Sequence, residues 1–267
     1  MELQGKKVLI TGASSGIGAC AARRFAEAGA EVILQARTEE ALQAMAKEID
    51  AAGGKAHVYP ADVSSHEAVR AVAQKVKAEV GLPDILINNA GIGRWLYVEE
   101  TPWEELQQMI AVPYMAAFYT TKAYMPEMLE RKSGLILNVN SPVCFMPWAG
   151  ASGYAAARGA LMTFTYALQS DLHGTGLKVC HFVPGKVSST YFENNPGSEE
   201  RVPAISKYFK TYTPDEVAIR MVKAVKKERR EDVFPFLLKL NVLFGRWFPG
   251  LVQWVIRKTG HQRHEGV

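Results

Sequence analysis

Val8-Leu9-Ile10-Thr11-Gly12-Ala13-Ser14-Ser15-Gly16-Ile17-Gly18 is the stretch that decides the fold. A short apolar run leads directly into a glycine-rich turn, and a helix-favouring sequence follows over residues 19–28. The order strand, tight turn, helix places backbone N–H groups and a helix N-terminus where a phosphate can bind. In such a turn one glycine permits the bend, one lets the backbone approach a pyrophosphate, and one lets helix and strand pack closely. The stretch therefore predicts a dinucleotide site.

Bulk composition limits the class of protein. The 267 residues fit one large α/β domain, and 48% of them are hydrophobic, which is enough for a sizeable core. The net charge of +4 is mild, and we expect no nucleic-acid partner. Three cysteines and six histidines show no pairing or ligand spacing, so we expect no metal and a reducing, cytoplasmic location. No apolar run is long enough to span a bilayer, and the early first strand leaves no room for a signal peptide.

Strand and helix patterns alternate beyond the first turn. Further strands are predicted at 29–37, 55–59, 84–88, 134–140 and 177–183, and helices at 39–52, about 65–80, about 102–131 with an interruption at Pro113, and 154–174. This alternation predicts parallel pairing with right-handed crossovers. The expected fold class is α/β, a Rossmann-type doubly wound parallel sheet with helices on both faces, which binds ligands at the carboxyl ends of its strands.

Several motifs follow one another in a fixed order. They are Thr11-Gly12 with Gly16 and Gly18, Asp62-Val63, Asn88-Asn89-Ala90-Gly91, Ser141, Tyr154 and Pro184-Gly185. In this order and spacing, over residues 5–192, the sequence resembles the short-chain dehydrogenase/reductase family. The resemblance implies binding of NAD or NADP and hydride transfer between the nicotinamide and a carbonyl or alcohol carbon.

The resemblance also implies a set of coenzyme-binding residues. These are Gly12, Ser14, Ser15, Gly16, Ile17, Gly18, Arg37, Asp62, Val63, Asn89, Ala90, Gly91, Tyr154, Arg158, Pro184, Gly185, Val187 and Ser189. Asp62 and Val63 would border the adenine, and Asn89 would mainly tie neighbouring strands together. Ser189 stands where the family often has threonine, and its hydroxyl would reach the carboxamide.

The residue after the second strand indicates which coenzyme binds. An acidic residue there would bind the ribose 2′-hydroxyl of NAD and repel a 2′-phosphate. This chain has Gln35-Ala36-Arg37 instead, and arginine offers a cationic fork to a phosphate. We therefore predict NADP(H), with a solvated loop arginine as the alternative interpretation of Arg37.

The catalytic residues implied by the resemblance are Ser141, Tyr154 and Arg158. Tyrosine ordinarily ionises near pH ~10, so acid/base work at neutral pH needs a positive charge nearby. The family supplies a lysine four residues after the tyrosine, and here that position holds Arg158. Arginine keeps the charge, but it is larger and its charge is spread over a plane.

A second departure from the family falls on Pro113. The family has an asparagine there, at a break in the helix where its backbone carbonyl holds a water of the proton relay. Proline lacks the asparagine side chain. It also lacks a backbone N–H and kinks a helix, so the break in the helix can be preserved by other means. The two departures leave an alternative open, an NADP(H)-binding sensor or scaffold with little or no turnover.

The substrate side is expected to be apolar. Trp95, Val143, Phe145 and Tyr191 lie where the family builds its pocket, which suits a hydrophobic ketone or alcohol, lipid or steroid-like. Ordinary core packing explains some of these residues equally well. The family also favours a homodimer or homotetramer.

The C-terminal tail is unusually apolar and basic. We divide the chain into a coenzyme-binding and catalytic domain, residues 1–232, and a helical tail, residues 233–267. Lys239, Arg246, Pro249 and Arg257 argue against a spanning helix. Two short apolar helices fit an interfacial membrane anchor, while a flap over the substrate pocket or a subunit contact fits them equally well.

Overall fold

A computed structural model describes residues 1–188 and 191–261 of the chain. Its sheet has seven parallel strands in the order β3-β2-β1-β4-β5-β6-β7. The strands are β1 (Lys7–Thr11), β2 (Glu31–Ala36), β3 (Lys55–Pro60), β4 (Ile85–Asn88), β5 (Gly134–Val139), β6 (Leu177–Pro184) and β7 (Glu231–Phe234). The predicted doubly wound α/β sheet is therefore confirmed, and the order reverses between β1 and β4, beside the glycine turn.

Helices cover both faces of this sheet. They are α1 (Gly16–Glu27), α2 (Glu39–Ala51), α3 (His66–Glu79), α4 (Trp103–Ile110), α5 (Ala116–Arg131), α6 (Ser152–Asp171), α7 (Tyr191–Asn194), α8 (Pro214–Lys226), α9 (Phe236–Trp247) and α10 (Pro249–Thr259). Alternate residues of β1 enter different cores: Val8 and Ile10 pack in one cluster, and Leu9 packs in the other. Burial on both faces explains why the strands read as nearly continuous apolar runs.

The predicted interruption at Pro113 is present. Pro113 is buried in a five-residue π turn, Ala111–Met115, between α4 and α5. The backbone N–H of Ala116 donates to the carbonyl of Ala111, five residues back. Proline has no N–H for the regular helical bond and its ring crowds the preceding turn, so the wider turn accommodates it.

The predicted boundary between residues 232 and 233 falls inside β7. Val233 and Phe234 lie in register with Val183 and Pro184 of β6, so they belong to the sheet and the tail begins at Pro235. Asp232, in the same strand, is buried but accepts hydrogen bonds from Arg220 and Arg229. Within the described residues, none of the helices is both long and apolar enough to cross a membrane.

Candidate active site

A cavity of about 1390 Å³ runs along the carboxyl ends of the strands. The expected coenzyme residues that line it are Gly12, Ser14, Ser15, Gly16, Ile17, Arg37, Asp62, Val63, Asn89, Ala90, Gly91, Tyr154, Arg158, Pro184, Gly185 and Val187. Arg37 follows β2 and Pro184 ends β6, so the lining crosses most of the sheet. Ser189 lies outside the described residues.

The glycine turn is shaped to receive a phosphate. Gly12 and Gly16 have φ of +67° and +54°, which glycine adopts without strain. A side chain at Gly18 would collide with the carbonyl oxygen of Gly12, so Gly18 serves close packing of turn and helix rather than the cavity wall. Ser15 caps α1 without a side-chain hydrogen bond, and the first turn of α1 has no acidic residue. The N-terminus of α1 is thus suited to bind an anion.

Asn89 ties β1 to β4 behind this turn. Its side-chain amide donates to the backbone carbonyls of Thr11 and Gly12, at 3.1 and 3.3 Å. The hydroxyl of Thr11 in return accepts from the backbone N–H groups of Asn89 and Ala90. The turn is therefore held in place by hydrogen bonds before any ligand arrives.

Arg37 and Asp62 lie at the β2–β3 side of the cavity. Burial alone would raise the pKa of Asp62, but hydrogen bonds from Ser64 and the charge of Arg37 hold that pKa below its ordinary value. The Asp62 carboxylate accepts from the backbone N–H and the hydroxyl of Ser64, at 2.9 and 2.7 Å. An arginine and a fixed carboxylate therefore border the region where the sheet topology places the adenosine half of a dinucleotide.

Tyr154 and Arg158 lie one turn apart on α6, and both are buried. The guanidinium carbon of Arg158 lies 5.1 Å from the centroid of the Tyr154 ring. Nη1 of Arg158 donates to the carbonyl of Val139 at 3.0 Å, and a side chain at Gly91 would overlap Nη2. Nε of Arg158 has no hydrogen-bond partner in the described part of the chain. A buried guanidinium with so few hydrogen-bond partners fits a site in which a bound ligand supplies further hydrogen-bond acceptors.

Asn140 connects Ser141 to Arg158. Its side-chain oxygen accepts from the backbone N–H of Ser141 at 2.8 Å, and its amide donates to the carbonyl of Arg158 at 3.0 Å. The same amide lies 3.0 Å from Nε2 of His181, whose other nitrogen, Nδ1, is 3.6 Å from Glu231. This buried group was not predicted, because an asparagine at a strand end carries no local signal of distant partners.

Aromatic rings surround Tyr154 within the cavity. Trp95 and Tyr191 line the cavity, and their ring centroids lie 5.9 and 6.1 Å from that of Tyr154. The hydroxyl of Tyr191 donates to the carbonyl of Gly93. Burial, together with the neighbouring Tyr154, raises the pKa of Tyr191 above its ordinary value. Trp95 and Tyr191 therefore give this part of the cavity an aromatic wall.

Two predicted substrate residues are placed elsewhere. Val143 is buried against Trp95 and Tyr154, and among the described residues that line the cavity neither Val143 nor Phe145 is found. Phe145 packs with Val183 and Leu238 and lies edge-on to His181. Its apolar side chain belongs to a small core beneath α9, the core packing that the sequence offered as the alternative interpretation. Met109, Met146, Trp148 and Phe192 line the cavity instead.

The tail lies over the cavity. Leu238, Phe244, Val252 and Ile256 of α9 and α10 contribute to its lining. The start of the tail also lies against the loop after β6, because a Cβ added at Gly185 would come within 2.9 Å of Cδ of Pro235. The tail therefore has the position of a flap, one of the alternatives that the sequence left open.

Comparison with known proteins agrees with this geometry. The model of the short chain dehydrogenase family matches residues 6–200, nearly three quarters of the chain. This chain belongs to the short-chain dehydrogenase family. Family members use a nicotinamide coenzyme, and the open N-terminus of α1, the glycine turn and the partly unpartnered Arg158 guanidinium fit such a group.

Relatives within the short-chain dehydrogenase family extend over most of the chain. A probable oxidoreductase from Mycobacterium tuberculosis, EphD, is 36% identical over 250 residues, covering 89% of this chain and 42% of its own length. The chain thus spans less than half of that relative. The ketoacyl reductase HetN of Nostoc is 34% identical, covering 97% of this chain and 90% of its own. A metagenomic short-chain oxidoreductase in complex with NADP is 30% identical with a TM-score of 0.73, covering 88% of this chain and 98% of its own.

Proposed function

We propose that this short-chain dehydrogenase moves hydride between NADP(H) and a hydrophobic ketone or alcohol, lipid or steroid-like. The observation that carries the proposal is the buried pair on α6, with the Arg158 guanidinium 5.1 Å from the Tyr154 ring inside the cavity. A buried tyrosine beside a fixed positive charge is suited to proton transfer.

Each residue of the pair has a separate task in this proposal. When bound, the nicotinamide supplies or accepts the hydride. The Tyr154 hydroxyl donates a proton to the carbonyl oxygen, or accepts one from the alcohol, and Ser141 donates a hydrogen bond that orients the same oxygen. Arg158 places its charge beside Tyr154 and keeps donors for a ribose hydroxyl, the task of the family lysine.

Arg37 supports NADP(H) as the coenzyme. It lines the cavity directly after β2, and the end of that strand, Gln35-Ala36-Arg37, carries no acidic residue of the kind that would repel a 2′-phosphate. The related metagenomic oxidoreductase binds NADP. The apolar wall formed by Trp95, Trp148 and Tyr191 supports a hydrophobic substrate, and a relative named as a ketoacyl reductase supports a carbonyl group on it.

The alternative function is NADP(H) binding without turnover, as a sensor or scaffold. This alternative is supported by Arg158, which replaces the family lysine and donates one of its hydrogen bonds to the Val139 carbonyl. We further propose a cytoplasmic homodimer or homotetramer in either case. Light scattering would determine the number of copies.

Oxidation of NADPH with a panel of lipophilic ketones distinguishes the two functions. We expect turnover by the parent protein and a loss of at least about a thousandfold in Tyr154→Phe, which lacks the acid, with NADPH binding retained. Tyr208→Phe, on an exposed tyrosine outside the cavity lining, is the matched control. If the parent and Tyr154→Phe are equally inactive on every ketone while both bind NADPH, the sensor function replaces the enzyme.

A further inference from the structure

The tail helices are apolar on their outer as well as their inner sides. On α9, Leu238 and Val242 are buried, while large apolar residues one turn apart remain exposed on the opposite side. These are Phe236, Leu240, Leu243 and Trp247, and Leu251 and Trp254 continue the exposed surface on α10. We name these six residues the outer apolar face. Their spacing of three and four residues places them on one side of each helix.

Positive charge accompanies the outer apolar face. Lys239 and Arg246 are seven residues apart, so they lie on one flank of the exposed stripe of α9, and Arg257 and Lys258 end α10. All four side chains are exposed, and residues 235–260 contain no aspartate or glutamate. A helix with an aromatic and leucine-rich stripe beside basic residues is typical of segments that lie in a membrane interface.

The outer apolar face adjoins the cavity mouth. Phe244 and Leu251 line the cavity and yet keep 43% and 50% of their surface exposed, so they stand at its rim. Val252, Val255 and Ile256 continue inward from that rim. A surface that covered the outer apolar face would therefore meet the opening of the cavity.

Charge selects the occupant of this surface. Residues 235–260 carry four basic side chains and no carboxylate, so a second copy docked on the same face would meet like charge and no opposite charge from this segment. Anionic lipid headgroups supply the opposite charge, and Trp247 and Trp254 suit the headgroup level. With 12 and 11 residues, α9 and α10 extend only about 16–18 Å, so they would lie along the bilayer.

We propose that α9 and α10 bind the surface of an anionic membrane through the outer apolar face. In that orientation the cavity mouth faces the lipid, and an apolar compound passes from the bilayer to Tyr154 past Phe244 and Leu251. Membrane binding itself does not depend on turnover, so this proposal and the proposed enzymatic function fail separately.

Sedimentation with vesicles tests the proposal on the full chain. We expect binding to vesicles of phosphatidylcholine with phosphatidylserine, and little binding to phosphatidylcholine alone. Raising the salt from 0.1 to 0.5 M should weaken binding at least about tenfold, because the attraction between the basic residues and the headgroups is screened. Trp247→Gln and the double variant Lys239→Gln/Arg246→Gln should each weaken binding by about tenfold.

Matched variants complete the experiment. Trp103 at the start of α4 is 84% exposed, against 82% for Trp247, so Trp103→Gln removes an equally exposed indole elsewhere. Lys47→Gln/Lys75→Gln removes two exposed charges from α2 and α3. Thermal melting of every variant checks that the fold is kept. A parent that leaves anionic vesicles unbound, or controls that weaken binding as much as the tail variants, would overturn the proposal. The proposal is also overturned if the parent does not bind vesicles and Trp247→Gln dissociates an oligomer, because the outer apolar face would then be an interface between two copies.

Discussion

Asn140 holds the backbone of Arg158 through a buried hydrogen bond of 3.0 Å from its side-chain amide to the Arg158 carbonyl. The other end of the same side chain accepts from the N–H of Ser141. One residue thus joins the segment after β5 that carries Ser141 to the helix that carries Tyr154 and Arg158.

Asn140→Ala should therefore impair turnover beyond its effect on stability. Removing the amide leaves buried partners unsatisfied, which costs about 1–3 kcal/mol, or roughly 2–4 °C in Tm for each kcal/mol. Asn138→Ala is the matched control, since Asn138 is an equally buried asparagine that bonds Asn88 and Thr165. We expect a similar Tm loss in both variants, with kcat falling more than about tenfold only for Asn140→Ala. Equal kcat values would mean that Asn140 is only structural.

Arg158 should be necessary for turnover because its charge lies beside the Tyr154 ring. Arg158→Met should lower kcat by at least about a hundredfold, within the usual contribution of acid–base groups. Arg158→Lys restores the family residue and the charge, so it should retain far more activity than the methionine variant. Stopped-flow assays at saturating NADPH give the comparison, and equal activity of the lysine and methionine variants would exclude an electrostatic role.

Two glycines near Arg158 should respond in opposite ways to alanine. At Gly91 a methyl group would overlap Nη2 of Arg158, so Gly91→Ala should displace the guanidinium and lower kcat about tenfold. At Gly159, inside α6, an added methyl would meet no side chain or backbone beyond its own stretch of helix within 4 Å, so Gly159→Ala should gain about 0.5–1 kcal/mol from helix propensity. Melting and kcat measured together check both. Loss of activity in Gly159→Ala would show that α6 tolerates no change here.

Coenzyme preference should follow Arg37. Charge-assisted bonds to a phosphate contribute about 1.5–3 kcal/mol, so Arg37→Gln should weaken NADPH binding by roughly ten- to a hundredfold. NADH lacks the 2′-phosphate, and its affinity is the internal control that should stay unchanged. Fluorescence titration measures both. Equal affinities of the parent for the two coenzymes would remove Arg37 from the coenzyme site.

The contacts of Glu231 with His181 and Tyr166 should make part of the free energy of unfolding depend on pH. Interaction with His181, and a hydrogen bond from Tyr166 at 2.7 Å, hold the pKa of Glu231 below its ordinary value although burial opposes them. A lowered carboxyl pKa stabilises the fold above about pH 4.3 and loses that effect as the pH falls through the folded-state pKa. Glu231→Gln should therefore melt lower than the parent at pH 7, and the gap should shrink in acid. A gap that widens in acid would contradict this assignment.

The strands of the sheet could be predicted from the sequence where they are apolar. Six strands follow from buried runs separated by turn and helix signals. β7 escapes this pattern because half of its four residues are charged, Glu231 and Asp232. Asp232 is buried only because Arg220 reaches it from α8 and Arg229 from the preceding turn. A strand whose stability depends on such tertiary contacts leaves no periodic signal.

The site was predictable where it depends on local spacing. Tyr154 and Arg158 meet because they are one helical turn apart, and the glycine turn has its own conformational demands. The position of Phe145 could not be predicted, because an apolar residue can enter either the cavity or a core, and the packing against α9, about 90 residues later in the chain, places it in a core. Asn140 could not be predicted because two of its partners, Arg158 on α6 and His181 on β6, are distant in sequence.

The contact between Gly185 and Pro235 restricts how this protein can be rebuilt. Gly185 borders the coenzyme cavity and Pro235 begins the tail, and only 2.9 Å would separate a new Cβ from the proline ring. A chimera that exchanged tails at residue 232 would cut β7 and replace the ring against which the loop after β6 rests. A junction after Pro235 would keep both. The loop after β6 and the first residue of the tail therefore have to be exchanged together, and a change of substrate preference through the tail has to begin beyond Pro235.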